Sequence, residues 1–146
     1  MHEIAEQLAG VVERAAGRLG QIGEEEAGAP VLAGGWSRKQ VIGHLIDSAS
    51  NNHQRFVRAG IQGSLEWPGY DQEGCVRVEA FQQAPWGMLL EVWRALNRLL
   101  AHVLAHLPAE AAAAPCRIED QDPMTLEELA RSYVAHMQHH LGQLGL

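Results

Sequence analysis

The chain has 146 residues, 47% of them hydrophobic and 20% charged, and a formal net charge of −7 at pH 7. That is enough chain for one domain, residues 1–146, with a real core, and no apolar run approaches the roughly 18 residues of a membrane span. Nucleic-acid binding is excluded as an expectation, because it needs clustered Lys and Arg and none cluster here, so small molecules or protein partners are expected.

The opening MHEIAEQLAGVVERAAG carries acidic residues and no apolar stretch of the signal-peptide kind. Cys75 and Cys116 stand alone without CxxC spacing, which fits reduced thiols better than a disulfide framework. Both features point to the cytoplasm. The first helix is predicted over Glu3 to Ile22, with Ile4, Leu8, Val11, Val12, Ala15, Leu19 and Ile22 as its apolar stripe. Gly23 ends it, and an acidic connector runs to Gly35.

The second helix opens on Ser37, which with Gln40 reads as a capping box, while Trp36 in front can staple onto Val41; Gly60 closes it. Val41, His44, Ser48, Asn51 and Arg55 share one face, beside the more apolar line of Leu45, Asn52 and Phe56. Asp47, Ser48 and Asn51 are polar for a bundle interior, where buried polar groups must find partners, so this side suggests a pocket. His53 falls on another side and reads as surface.

Residues 60–84 hold several glycines and Pro68, and read as a long crossover anchored by Trp67, Tyr70 and Phe81, covering one end of the bundle and lining the mouth of a site. The third helix is predicted from Pro85 to Leu107, with Trp86, Leu89, Trp93, Leu96, Leu100, Val103 and Leu107 facing the core. His102 and His106 are four apart, but they lie on the flank of a C-terminal turn, where histidine complements the helix dipole. Glu110 to Met124 reads as a loop.

The fourth helix is predicted from Thr125 to Leu146, opened by a Thr125–Glu128 capping box. Leu126, Leu129, Tyr133, His136, His140 and Leu144 form one stripe, so two histidines stand where core leucines are expected. One turn apart, they are positioned either to grip one metal ion or to serve as hydrogen-bonded core residues. Topology separates these readings. His44 lies about 10 Å into helix 2, and His136 and His140 lie roughly 16 to 22 Å into helix 4. An up-down-down-up bundle makes these helices antiparallel and brings all three histidines level. The long crossover between helices 2 and 3 calls for the same order, because helices 2 and 3 must run parallel. The expected fold is therefore an all-α, up-down-down-up four-helix bundle with a His44, His136, His140 site.

WSRKQVIGHLIDSASNN around His44, the YDQEG segment and the C-terminal YVAHMQHHLGQL resemble the DinB/YfiT-like superfamily of metal-dependent proteins over nearly the whole chain. The resemblance implies the same bundle, a homodimer, and a divalent ion, zinc or nickel, on His44, His136 and His140. It also implies, for some members, transferase or isomerase activity with a low-molecular-weight thiol such as bacillithiol, mycothiol or glutathione. No single helix shows an obviously exposed apolar face in the sequence, so the homodimer rests on the resemblance.

Three imidazoles leave at least one coordination position open, as catalytic sites do. Asp47, Asn51, His139 and Gln143 are candidates for orienting the ligands, although Asp47 and His139 have ordinary helix-contact or surface readings as well. No glutamate stands in an HExxH arrangement, which argues against peptide hydrolysis. The functional expectation is a metal-dependent enzyme acting on a small molecule, a low-molecular-weight-thiol-dependent S-transferase or related activity, with a hydrolase-like enzyme also open. The alternatives are a non-catalytic metal- or small-ligand-binding bundle and a plain structural bundle.

Overall fold

Apolar stripes at helical spacing build the core, and polar ends decide how the helices are strung together. The computed structural model describes residues 1–31 and 35–146, so the part of the predicted connector at 32–34 lies outside the described residues. Six α-helices follow in chain order: α1 (His2–Leu19), α2 (Glu24–Gly28), α3 (Arg38–Gln62), α4 (Gln72–Val78), α5 (Trp86–His106) and α6 (Leu126–Gln143). Three short strands accompany them, β1 (Leu65–Trp67), β2 (Pro115–Ile118) and β3 (Met124–Thr125). The four long helices are those expected. Among the described residues no helix is long and apolar enough to cross a membrane.

Both predicted capping boxes form. The Gln40 amide donates to Ser37 Oγ at 3.2 Å while the Ser37 amide donates to Gln40 Oε1 at 3.0 Å. Thr125 and Glu128 do the same at 3.2 and 2.7 Å. Each pairing satisfies two amide groups that a helix N-terminus leaves without partners. Helix ends were less legible. α1 stops at Leu19, and α3 runs past Gly60 to Gln62, where Gly63 at φ 70° supplies the left-handed cap. Gly60 answers a different need, since a Cβ there would stand 2.7 Å from Leu107 Cδ2. α6 ends at Gln143, short of Leu146.

Contacts between helix ends establish the up-down-down-up order. Glu24 pairs with Lys39 at the start of α3 and accepts from the Trp86 amide at the start of α5, while Gly60 meets Leu107 where both helices finish, so α3 and α5 are parallel. Arg131 lies 3.8 Å from Glu3 near the starts of α6 and α1, and Arg18 Nη2 donates to the Gly145 carbonyl at 2.5 Å near their ends, so these two are also parallel. The end of α1 leads directly into Glu24 beside the start of α3, which makes the two pairs antiparallel to each other. α1 and α3 each pack against both α5 and α6.

Two stretches predicted as loops carry structure. β1 pairs with β2 in parallel, Leu65 opposite Cys116 and Trp67 opposite Ile118, and β2 pairs with β3 antiparallel. The parallel pairing follows from the bundle, because β1 and β2 lie beyond the ends of two parallel helices. In the crossover, Asp71 caps α4 through the Gly74 amide at 2.9 Å, and a 3-10 turn at Phe81–Gln83 follows Ala80, which sits at φ 51°. Phe81 is buried against Gly43, where a Cβ would stand 2.2 Å from its ring, so the absence of a side chain there lets the crossover seat beside His44. The acidic connector after Gly23 contains α2, whose Glu24 ties three helices together.

The core of α5 also differs from expectation. Asn97 is fully buried where Leu96 was expected, and Leu96, Val103 and Leu107 are half-buried. Asn97 donates to the Trp93 carbonyl at 2.8 Å and accepts from the Tyr133 hydroxyl, which satisfies a polar pair inside an apolar core. His53 is half-buried, not surface.

Candidate metal centre

His44 stands in the second turn of α3, and His136 and His140 one turn apart in the second half of α6. Because the two helices run antiparallel, the early turns of one face the late turns of the other. His44 Nε2 lies 3.2 Å from His136 Nε2, which lies 3.1 Å from His140 Nε2, and one ligand atom from each of the three falls within 4.8 Å of the others. His44 is fully buried and the other two are half-buried, so the cluster has a closed side and an open side.

The donor set fits a divalent ion. Three nitrogens at about 2.0–2.1 Å from one tetrahedral ion stand about 3.4 Å apart, close to the spacing seen. Hydrogen bonding accounts for the trio less well, since the His136 Nε2 has one proton or one lone pair to share between two neighbours. Burial, with the neighbouring imidazoles adding to it, lowers His44 and His136 to about 4, and burial lowers His140 as well. All three rings are thus neutral near pH 7, the state in which imidazole binds metals.

Two of the four orienting candidates reach the cluster. His140 Nδ1 lies 3.0 Å from Gln143 Oε1, so Nδ1 carries the proton and Nε2 keeps its lone pair facing the other histidines. Gln143 Nε2 in turn lies 3.2 Å from the exposed His139 Nε2. The other two turn elsewhere. Asn51 donates to the Asp47 carbonyl at 3.0 Å within its own helix. Asp47 faces Glu79 and Tyr70, and burial together with the Glu79 carboxyl raises it to about 7. His44 Nδ1 is buried without a hydrogen-bond partner among the described residues, and the Trp36 ring lies 5.4 Å from its ring. The His102–His106 pair is exposed, with His106 Nδ1 donating to the His102 carbonyl at 2.8 Å, and no third ligand joins it among the described residues.

A cavity of about 240 Å³ adjoins the cluster at His136. Ser48, Asn52 and Arg55 of α3 form one wall, Tyr133 of α6 another, and Gly69, Tyr70 and Gln72 of the crossover close over them. The crossover therefore lines the mouth of a cavity beside the histidines. The helix-2 face carrying His44, Ser48 and Arg55 was visible as a stripe in the sequence, but Arg55 was given no role, because periodicity shows which face a residue occupies and not what it meets there. A second cavity of about 260 Å³, between Trp36, Val41, His140 and Leu144, flanks the other side.

A family model for the DinB superfamily matches residues 7–144. The chain is also similar to a protein of Bacillus pumilus (strain SAFR-032) whose name assigns it provisionally to the metal-dependent hydrolases, with 28% identity over 140 residues that cover 95% of this chain and 79% of that protein. Among solved structures it is similar to YfiT from Bacillus subtilis, described as a probable metal-dependent hydrolase with an unusual four-helix bundle topology. The TM-score is 0.82 at 23% identity, covering 95% of this chain and 82% of that one. At that identity the likeness speaks for the fold, and the fold is the bundle described above. With the family model spanning all four long helices and the crossover between them, the chain belongs to the DinB superfamily.

Proposed function

We propose that the chain is a metal-dependent enzyme in which His44, His136 and His140 hold a divalent ion, zinc or nickel, beside a substrate cavity. The observation that carries this reading is the convergence of three neutral imidazole nitrogens, each within 4.8 Å of the others, at the wall of a polar cavity. An ion bound there would supply Lewis acidity and would make a water or thiol more acidic near neutral pH. The chain supplies the rest. Gln143 holds the His140 tautomer, the buried His44 anchors the closed side, and Ser48, Asn52 and Tyr70 offer hydrogen bonds to a bound molecule.

Water as the nucleophile makes the protein a hydrolase, the reading supported by the descriptions of the two relatives. A low-molecular-weight thiol at the same position makes it an S-transferase, the finer expectation from the sequence, and the two share one site. Free Cys75 and Cys116 suit work in a reducing cytoplasm. A second copy of the chain is the partner proposed for the outer face of α5, where Met88, Val92, Ala95 and Leu99 are all exposed at the spacing of a helix–helix seam.

Elemental analysis of tag-free protein purified without chelators, for wild type and His44→Ala, tests the site. One ion per chain in the wild type and none in the variant is expected; metal-free wild type that refuses zinc and nickel would overturn the reading. Metal-dependent turnover of ester, amide and electrophile panels, with and without added thiol, then separates hydrolase from transferase. No turnover on any panel leaves a binding bundle.

A further inference from the structure

Arg55 is the anomaly of this molecule. Its residue is only 8% exposed, it lines the cavity that adjoins His136, and its Nε is buried without a hydrogen-bond partner. Among the described residues no carboxylate pairs with it. Several more exposed arginines do find a carboxylate: Arg38 pairs with Glu26, Arg94 with Glu13, and Arg131 with Glu127 and Glu3. Even Glu119, the carboxylate among the cavity-lining residues, leaves Arg55 alone. A guanidinium does not shed its proton under any ordinary burial, and a buried charge without a counter-ion is costly. Tyr70 beside it gives no compensation, because burial keeps the phenol protonated.

We propose that this cavity is a subsite for an oxyanion group, a carboxylate or phosphate, which the Arg55 guanidinium binds while the rest of the same molecule reaches toward His136. A planar guanidinium fork matches such a group with two parallel hydrogen bonds, and desolvation by the cavity walls strengthens them. Geometry adds a length. Eleven residues separate His44 from Arg55, so the two lie on one face of α3 about 16 Å apart along its axis. The Arg55 side chain leans back toward the helix N-terminus and shortens that span, so the ligand carries its charge at one end and its reacting group at the other. The identity of the reacting end rests on the metal-enzyme reading above; anion binding by Arg55 does not.

The test uses the whole chain after chelator treatment, so that it reads the anion subsite whether or not a metal binds. Sodium succinate and sodium phosphate are titrated into wild type at constant ionic strength, with succinamide as the neutral control, and the melting temperature is followed. A saturable rise of about 5–10 °C at about 100 times the dissociation constant is expected from at least one anion and none from succinamide. The stronger anion identifies the preferred group as carboxylate or phosphate. Arg55→Met is expected to lose the shift, and Arg55→Lys, which keeps the charge without the fork, to bind about tenfold more weakly. If the Met variant does not fold, the affinity of the Lys variant decides. No saturable shift in wild type, or unchanged affinity in the folded variants, would overturn the subsite. Absence of metal in the elemental analysis would overturn only the enzyme reading.

Discussion

His44 Nε2 lies 3.2 Å from His136 Nε2 although 92 residues separate them along the chain. Two buried or half-buried imidazoles are held edge to edge at one level of the bundle, with His140 completing the trio. A divalent ion bound at about 100 times its dissociation constant adds about 2.7 kcal/mol to folding, or about 5–10 °C in melting temperature for a chain of this size. A chelator is expected to remove that increment from the wild type, and His136→Ala to melt at the same temperature with and without chelator. Calorimetry on both proteins checks it, and a chelator effect that survives in His136→Ala would place the ion elsewhere.

Gln143 acts on the ligands at one remove. Its Oε1 holds His140 Nδ1–H, and loss of such an orienting contact typically weakens metal binding about 10 to 100-fold. Gln143 is exposed, so Gln143→Ala is expected to leave the chelated protein's melting temperature unchanged while weakening zinc binding by that factor in a competition titration. His139→Ala, which removes only the neighbour of Gln143, is expected to have the smaller effect.

Asp47 supplies a pH dependence with a definite sign. Its carboxyl rises from an ordinary value of 3.8 to about 7, through burial first and the adjacent Glu79 carboxyl second. The folded value lies above the unfolded one, so folding takes up a proton. The associated stability is fully present below about pH 4 and is lost as the pH rises through about 7. Asp47→Asn is expected to raise the melting temperature at pH 8 relative to wild type and to keep only a minor part of that advantage at pH 5. The difference between the two proteins, measured with chelator present, isolates this group from the histidines. A variant destabilised equally at both pH values would show that Asp47 is structural.

The outer face of α5 makes a separate claim. Met88, Val92 and Leu99 are 43–48% exposed and fall on one seam with Ala95. Val92→Glu with Leu99→Glu is expected to convert a dimer to a monomer in light scattering without lowering the metal content. A wild type that is monomeric at high micromolar concentration would remove this face from consideration.

Much of the bundle was written locally. Ser37 with Gln40, and Thr125 with Glu128, mark helix starts through contacts three residues apart, which a single pass along the chain can read. The helix ends at Gly63 and Gln143 were missed because the ends depend on where a neighbouring helix stops, as the Gly60–Leu107 approach shows. The small sheet was missed for a related reason. Strands of two to four residues carry no alternation to read, and their pairing depends on the helices having already brought residues 65–67 and 115–118 together.

By itself, the sequence determined the four amphipathic helices, their starts, and the histidines on the inward stripes of two of them, because helical period and capping are short-range properties. The level at which those histidines stand followed only from the up-down-down-up order, itself a consequence of a crossover long enough to return along the bundle. Tertiary structure alone decided that Asp47 faces Glu79 and not the histidines, that Asn97 is buried against Tyr133, and that Arg55 lies in a cavity with no carboxylate paired to it among the described residues. Each of these depends on what a neighbouring element presents across a gap, and burial and pairing across a gap are set by packing.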